Sequence, residues 1–150
     1  MNVLVLGAGG AGVSAVQAIR NVDDKIDINL VSKEDCMPYS LCGLPDFLSG
    51  KTSMKVLTRL DNDFFTKNNI NLIFGKEAIK VNFSKKIVHF KNNSTNDMNE
   101  KLGFDKLLIA IGSKPVIPSI PGLNKKQVYI VSNLESCKNI IKSVKKAKKI

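Results

Sequence analysis

The chain has 150 residues, of which 43% are apolar, and a formal net charge of +10. That is length for about one domain with a sizeable core, and the apolar share excludes a disordered chain. No apolar run approaches the roughly 20 residues of a membrane helix. The apolar stretch 3–6 has no basic segment before it, so no signal peptide is expected and a cytoplasmic location follows. Cys36, Cys42 and Cys137 are the three cysteines, an odd and sparse set unlike a secreted disulfide framework. The positive charge comes almost entirely from lysines spread along the chain, with one cluster at 142–149 and arginine only at Arg20 and Arg59. Without tryptophan or interleaved aromatics, this reads as solvated faces and not as a nucleic-acid interface. A polyanionic small ligand would suit such a chain, although charge alone does not select it. No metal site is expected.

Residues 2–6 (NVLVL) form a short apolar run, the mark of a buried strand. A glycine-rich turn follows at 7–12, then a helix over 13–20 with Val13, Val16 and Ile19 on one side and small alanines on another. A polar turn at 21–25 leads to a second strand at 26–31. This β-α-β unit of roughly 30 residues makes the two strands parallel. Pro38 and Pro45 keep 35–45 irregular, and a short helix opens at 44–48. A helix capped by Asp61 or Asn62 covers 61–68. Strands are predicted at 71–74, 76–81 and 86–90, the last two joined by a polar turn at 82–85. Residues 92–100 have loop composition. A buried strand is expected at 107–111, an irregular proline-punctuated stretch at 115–121, a strand at 128–131 and a helix at 134–147. The fold class is α/β, with a parallel sheet and a small antiparallel β-meander.

The sequence Gly7-Ala8-Gly9-Gly10-Ala11-Gly12 fits G-x-G-x-x-G, and its place between a strand and a helix is the context that gives the pattern meaning. Gly7 permits the tight turn, Gly9 leaves room for a pyrophosphate, and Gly12 lets helix and strand approach. Free N–H groups and the positive end of the helix dipole would hold the phosphates. A carboxylate about 20 residues further on usually binds a ribose hydroxyl. That position holds Ser32, followed by Lys33 and Glu34, so either Ser32 donates a weaker hydrogen bond or Glu34 reaches back. Asp27 lies too early in the strand.

Three stretches together resemble the pyridine nucleotide–disulfide oxidoreductases, in the branch with a single redox cysteine that includes coenzyme A disulfide reductases, NADH oxidases and peroxidases, and persulfide reductases. They are the glycine turn; Tyr39-Ser40-Leu41-Cys42-Gly43-Leu44-Pro45; and the run from Phe104 to Pro115 (FDKLLIAIGSKP), followed by Ile120-Pro121-Gly122. The resemblance implies a Rossmann-like lobe that binds FAD, with Gly7 to Gly12 at the pyrophosphate. It also implies Ala78 at the adenine, and Ala110, Ile111 and Gly112 near the isoalloxazine. Ile111 replaces a threonine usual in the family. Cys42 is implied as the catalytic thiol, and Tyr39, Ser40 and Arg20 as substrate-side residues. Arg20 reads equally well as a solvated cation at a helix end. In bottom-up terms Cys42 precedes a Gly-Leu-Pro that can start a helix, and a helix N-terminus favours thiolate.

Cys36 and Cys42 are separated by five residues, whereas the two-cysteine branch uses C-x4-C in a different setting, so Cys36 reads as passive. Cys137 reads as packing and His89 as a strand filler. Peroxidases and many oxidases of the family carry a histidine where this chain has Gly10. Its absence favours disulfide or persulfide reduction over an NAD(P)H oxidase using oxygen. In the intact family electrons pass from NAD(P)H through FAD to the acceptor, and the enzyme is a homodimer. The expectation for residues 1–150 is the first segment of a discontinuous FAD-binding domain, ending where an NAD(P)H domain would begin and inactive alone. The competing class is a nucleotide-binding module without redox chemistry, which would have no use for Cys42.

Overall fold

The computed structural model describes residues 1–58, 60–121 and 128–147. In chain order the strands are β1 (Asn2–Leu6), β2 (Asp27–Val31), β3 (Ile70–Ile73), β4 (Lys76–Asn82), β5 (Ile87–Asn92), β6 (Glu100–Gly103) and β7 (Lys106–Ile109). The helices are α1 (Gly10–Val22), α2 (Leu44–Leu48), α3 (Met54–Leu57), α4 (Asn62–Lys67) and α5 (Leu134–Val144). A 3-10 turn, Leu41–Gly43, precedes α2. The chain divides into two compact units, one of residues 1–39 with 60–112 and one of 40–59 with 113–150.

The first unit holds both sheets. A parallel four-stranded sheet has the order β3-β2-β1-β7, and a three-stranded antiparallel sheet has the order β4-β5-β6. Side chains alternate across a strand, so each face of the parallel sheet collects its own residues. Val3, Val5, Ile28, Leu30 and Ile70 meet Val16 of α1 and Phe65 of α4 on one face. Leu4, Leu6 and Val31 meet Val88 and Phe90 of the antiparallel sheet on the other. This explains why β1 is apolar at every position from 3 to 6: both of its faces are covered. Three asparagines link the strands at one end of the sheet. Asn71 donates to Asn29 at 2.7 Å, Asn29 to Asn2 at 2.9 Å, and Asn2 to the Gly103 carbonyl at 2.9 Å.

The expected α/β architecture, a parallel sheet built on a β-α-β unit with an antiparallel meander, is the one observed. Four local expectations need correction. Helix α1 starts inside the glycine turn, at Gly10 and not at 13. Residues 100–103 form β6, missed because Leu102 is its only large apolar residue. Residues 128–131 form no strand: Val128, Tyr129 and Val131 are exposed, and β-propensity with no ladder partner among the described residues does not make a strand. Strand β7 is not buried. It lies at the sheet edge, with Leu108 and Ile109 exposed. Gly122, residues 148–149 of the basic cluster and Ile150 lie outside the described residues.

In the second unit α5 packs on α2. Asn133 caps α5, accepting from the Ser136 N–H at 2.8 Å while Ser136 Oγ accepts the Asn133 N–H at 3.2 Å. Helix α5 buries Leu134 and Cys137. Among the described residues no helix is long and apolar enough to cross a membrane.

Arg20, at the end of α1, is the polar clamp of the first unit. Its Nε donates to the Asn68 carbonyl at 2.7 Å, and its two terminal nitrogens donate to the carbonyls of Asp23, Asp24, Ile26 and Asn69. All five N–H donors of the guanidinium are thereby engaged. They bind the turn before β2 to the α4–β3 turn, where Asn69 takes a left-handed φ of 48°. Arg20→Ala is expected to destabilise the chain by about 2–4 kcal/mol, because five carbonyls, two of them in part-buried bonds, lose a charged donor at once. Arg20→Lys should recover only a minor part, since an ammonium cannot reach this spread of acceptors. Urea denaturation of the three proteins measures both effects.

Candidate functional site

The glycine turn lies where three strand ends meet. The Gly7 N–H donates to the Val31 carbonyl at the end of β2 at 2.8 Å, and the Ala110 N–H beyond β7 donates to the Leu6 carbonyl at 2.7 Å. Gly7 has φ +103°, and a Cβ there would overlap the Ala110 carbonyl oxygen. A Cβ on Gly12 would overlap the Gly7 carbonyl oxygen. These two glycines are demanded by the fold itself. Gly9 and Gly10 differ, because a Cβ on either would meet nothing within 4 Å. Nothing inside the first unit requires glycine there, and the space beside them is open.

Helix α1 begins at this turn with Gly9 as its N-cap, no side-chain cap and no acidic residue in its first turn. The Val13 N–H closes the first helical bond onto the Gly9 carbonyl at 3.0 Å. The N–H groups of Gly10, Ala11 and Gly12 are therefore the helix's orphan donors, backed by the positive end of a 13-residue helix. Ala8 packs against the core beneath. A row of backbone donors, no competing carboxylate and no side chain at 9 or 10 make a surface that fits a pyrophosphate.

The other positions expected around a dinucleotide fall near the ends of the same sheet. Ser32 is buried, and its Oγ accepts the Glu34 N–H at 3.1 Å. Lys33 pairs with Glu77 at 2.7 Å. Ala78 sits at a bulge in β4, where the register against β5 slips between Ala78 and Lys80 and leaves Ile79 exposed. Ala110 is half-buried against Gly7, while Ile111 is exposed and Gly112 turns with φ +70°. The turn, the β2 end and the 110–112 segment are thus brought together by the backbone bonds to Leu6 and Val31.

The three cysteines are free, and they differ in setting. Cys42 is exposed, in the 3-10 turn that leads into α2. That helix starts at Leu44 with Pro45 in its first turn, so the Gly-Leu-Pro sequence does start a helix, although one of only five residues. Cys42 lines a shallow hollow of ≈ 240 Å³ with Ser40, Asp46, Thr52, Val56 and Leu57. Cys137 is buried in α5, and burial pushes its thiol up from the ordinary value, with an opposing contribution from Ser136. Cys36, half-buried, donates to Glu34 Oε2 at 3.7 Å, and Tyr39 donates to Glu34 Oε1 at 3.2 Å. Arg20, expected on the substrate side, has its donors committed to carbonyls. His89 sits in β5 between Lys80 and Lys101 of the neighbouring strands. Glu34 and Tyr39 were each singled out by sequence, but their meeting with Cys36 was not, nor was the Asp46 carboxylate in the Cys42 hollow. The spacing Glu34-x-Cys36-x-x-Tyr39 is no recognised pattern, and only the loop geometry brings its members together.

Two measurements separate these roles. Gly7→Ala and Gly12→Ala are expected to destabilise the chain by at least about 2 kcal/mol, because the new methyl meets backbone that cannot step aside. Gly9→Ala should stay within about 1 kcal/mol of the unaltered chain in chemical denaturation, since its φ of −77° suits any residue and its surroundings are open. In thiol labelling at neutral pH, Cys42 is expected to react first and Cys137 only after denaturation, because the thiolate is the nucleophile and Cys137 is both enclosed and shifted towards the thiol. Peptide mapping of the alkylated sites gives the order.

Comparison with known proteins agrees with this geometry. The family model described as pyridine nucleotide-disulphide oxidoreductase matches residues 1–150. The epsilon subunit of an NADH-dependent phenylglyoxylate dehydrogenase from Aromatoleum evansii is 30% identical over 133 residues, covering 88% of this chain and 30% of that protein. Among solved structures, a NAD-dependent persulfide reductase from A. fulgidus superposes with a TM-score of 0.83 at 30% identity, covering 98% of this chain and 28% of that one. An NADH:rubredoxin oxidoreductase from Clostridium acetobutylicum gives 0.82 at 28% identity, covering 97% of this chain and 36% of that one. The chain spans about a third of the length of these relatives. It belongs to the pyridine nucleotide-disulphide oxidoreductase family.

Proposed function

We propose that this chain is the FAD-binding lobe of an NAD(P)H-dependent oxidoreductase that reduces a disulfide or persulfide at Cys42. The observation that carries the reading is the open, uncapped start of α1. Among the described residues nothing fills the room beside Gly9 and Gly10, and the N–H groups of Gly10, Ala11 and Gly12 at the uncapped helix start suit an anion. The flavin, when bound, relays the two electrons of a hydride from NAD(P)H to a sulfur acceptor. The chain's residues hold and orient it: residues 7–12 at the pyrophosphate, the bulge at Ala78 at the adenine, and Ala110, Ile111 and Gly112 along the path to the ring.

Cys42 supplies the nucleophile. Its thiolate attacks one sulfur of a disulfide R–S–S–R, forming the mixed disulfide Cys42–S–S–R and releasing R–S⁻. Two electrons then cleave the mixed disulfide and return the Cys42 thiolate with a second R–S⁻. With protons counted, NAD(P)H, one proton and one disulfide give NAD(P)⁺ and two thiols. Exposure of Cys42 in a hollow with room for a substituent supports this assignment, as does the inert setting of Cys137. Gly10 supports a sulfur acceptor over a peroxide, since it brings no acid–base group to the turn.

The test has two parts. After incubation with FAD and gel filtration, the chain is expected to retain an oxidised-flavin absorption spectrum. Incubation with coenzyme A disulfide is expected to add one coenzyme A by mass, located at Cys42, and Cys42→Ser should retain flavin but form no adduct. A chain that holds no flavin overturns the cofactor reading. An adduct that survives in Cys42→Ser overturns the assignment of the thiol.

A further inference from the structure

The hollow at Cys42 has one acidic residue in its wall and no basic one. Ser40 and Thr52 bring hydroxyls, Val56 and Leu57 bring apolar surface, and Asp46 brings the charge. Lys51 and Lys55, the cations nearest to Asp46 in sequence, do not line it. All the lining residues belong to the second unit.

Asp46 is held by its backbone and not by its side chain. Its carbonyl accepts from the Lys51 N–H at 2.8 Å, from Ser49 Oγ at 3.1 Å and from the Thr52 N–H at 3.3 Å. Its carboxylate has no ion-pair or hydrogen-bond partner among the described residues. The turn that carries Cys42 is secured as well. A Cβ on Gly43 would overlap Leu57 Cδ2, and the Ser40 N–H donates to the Leu57 carbonyl at 3.1 Å. A thiol and an unengaged carboxylate thus share one hollow on a segment tied down on both sides of them.

We infer that Asp46 is a specificity-determining residue for the sulfur acceptor: it selects disulfides whose groups next to sulfur are neutral or cationic, and it disfavours those with an anion there. The inference rests on the reading of Cys42 as the attacking thiol. In the exchange the thiolate forms Cys42–S–S–R and releases R–S⁻, so R stays in the hollow with Asp46. A carboxylate on R then meets a like charge, and an amine meets an opposite one. Coenzyme A satisfies the rule, because the arm next to its sulfur is an uncharged amide chain. The preference runs against the net charge of +10, which draws anions to the chain as a whole. That long-range attraction is screened beyond about 8 Å at physiological salt, whereas charges within one small hollow interact inside that length.

The test uses cystamine, with an ammonium two carbons from each sulfur, and dithiodipropionate, with a carboxylate there instead. Rates of mixed-disulfide formation are measured at physiological salt, and peptide mapping locates the adduct at Cys42. The cystamine-to-dithiodipropionate rate ratio is expected to be about fivefold higher in the unaltered chain than in Asp46→Asn, the size that two exposed charge interactions of opposite sign produce. Taking the ratio within each protein cancels any change in the thiol's own reactivity, and comparing proteins cancels the reagents' own. Asp63→Asn removes an equal charge from a residue that does not line the hollow, and it should leave the ratio unchanged. A ratio unmoved by Asp46→Asn, or lowered as much by Asp63→Asn, overturns the inference while the adduct itself upholds the reading of the thiol. No adduct at Cys42 with either reagent overturns both.

Discussion

The approach of the Ala110 carbonyl to the bare α-carbon of Gly7 is the contact on which the first unit depends. It lets β7 end against the turn that follows β1, and the same turn receives Gly12 of α1 from the other side. Backbone meets backbone at both points, with no side chain to adjust. The spacing of strand and helix is then set by van der Waals radii, which makes the position of the α1 N-terminus nearly rigid. A rigid helix start matters because an anion site made of N–H groups has no side-chain freedom with which to correct a misplacement.

The covered faces of the parallel sheet support that geometry. Residues of one parity along β1 and β2 pack under α1 and α4, and those of the other parity pack under the antiparallel sheet. A one-residue slip of β1 would exchange Val3 and Val5 with Leu4 and Leu6 and would move Gly7 out of register with Ala110. Hydrophobic packing therefore places the glycine turn, and Arg20 secures the far end of α1 through carbonyls on both flanking turns. The two ends of α1 are held by different means: bare contact at the start and charged hydrogen bonds at the end.

Much of this was legible in the sequence because the signals were local. The β1–α1–β2 unit announces itself through an apolar run, glycines at defined spacing and a polar turn, all within about 30 residues. A cap at Asp61 or Asn62 was legible for the same reason, and of the two it is Asp61 whose side chain accepts the Phe64 N–H, at 3.0 Å. Strand β6 was not, because a short edge strand with one large apolar residue has no pattern of its own and exists only by pairing with β5. The reverse holds at 128–131, where apolar and β-branched residues have no ladder partner among the described residues. The exposure of β7 was hidden too: its sequence looks like that of a central strand, but its place in the sheet is the edge. Of the candidate site, the glycine motif and Cys42 were readable as motifs. The engagement of Arg20 and the Glu34 cluster required knowing which carbonyls and donors the loops bring within reach.

A distinction among residues of one type carries the functional argument further than the motifs do. Gly7 and Gly12 are explained by the fold, and Gly9 and Gly10 are not. Cys137 is explained by burial, whereas Cys42 is exposed at a hollow, where core packing does not account for it. Ser32 is explained by the strand end, whereas Glu34 is a charge held in place by two donors with acceptor capacity left over. In each pair the first residue satisfies a requirement internal to the chain. The second has a chemical capacity that no contact among the described residues calls for: space beside backbone donors, a reachable thiol, an oriented carboxylate. Space beside backbone donors and a reachable thiol in one short chain are the features on which the proposed nucleotide-dependent redox function rests, over a binding module that has no need of the thiol.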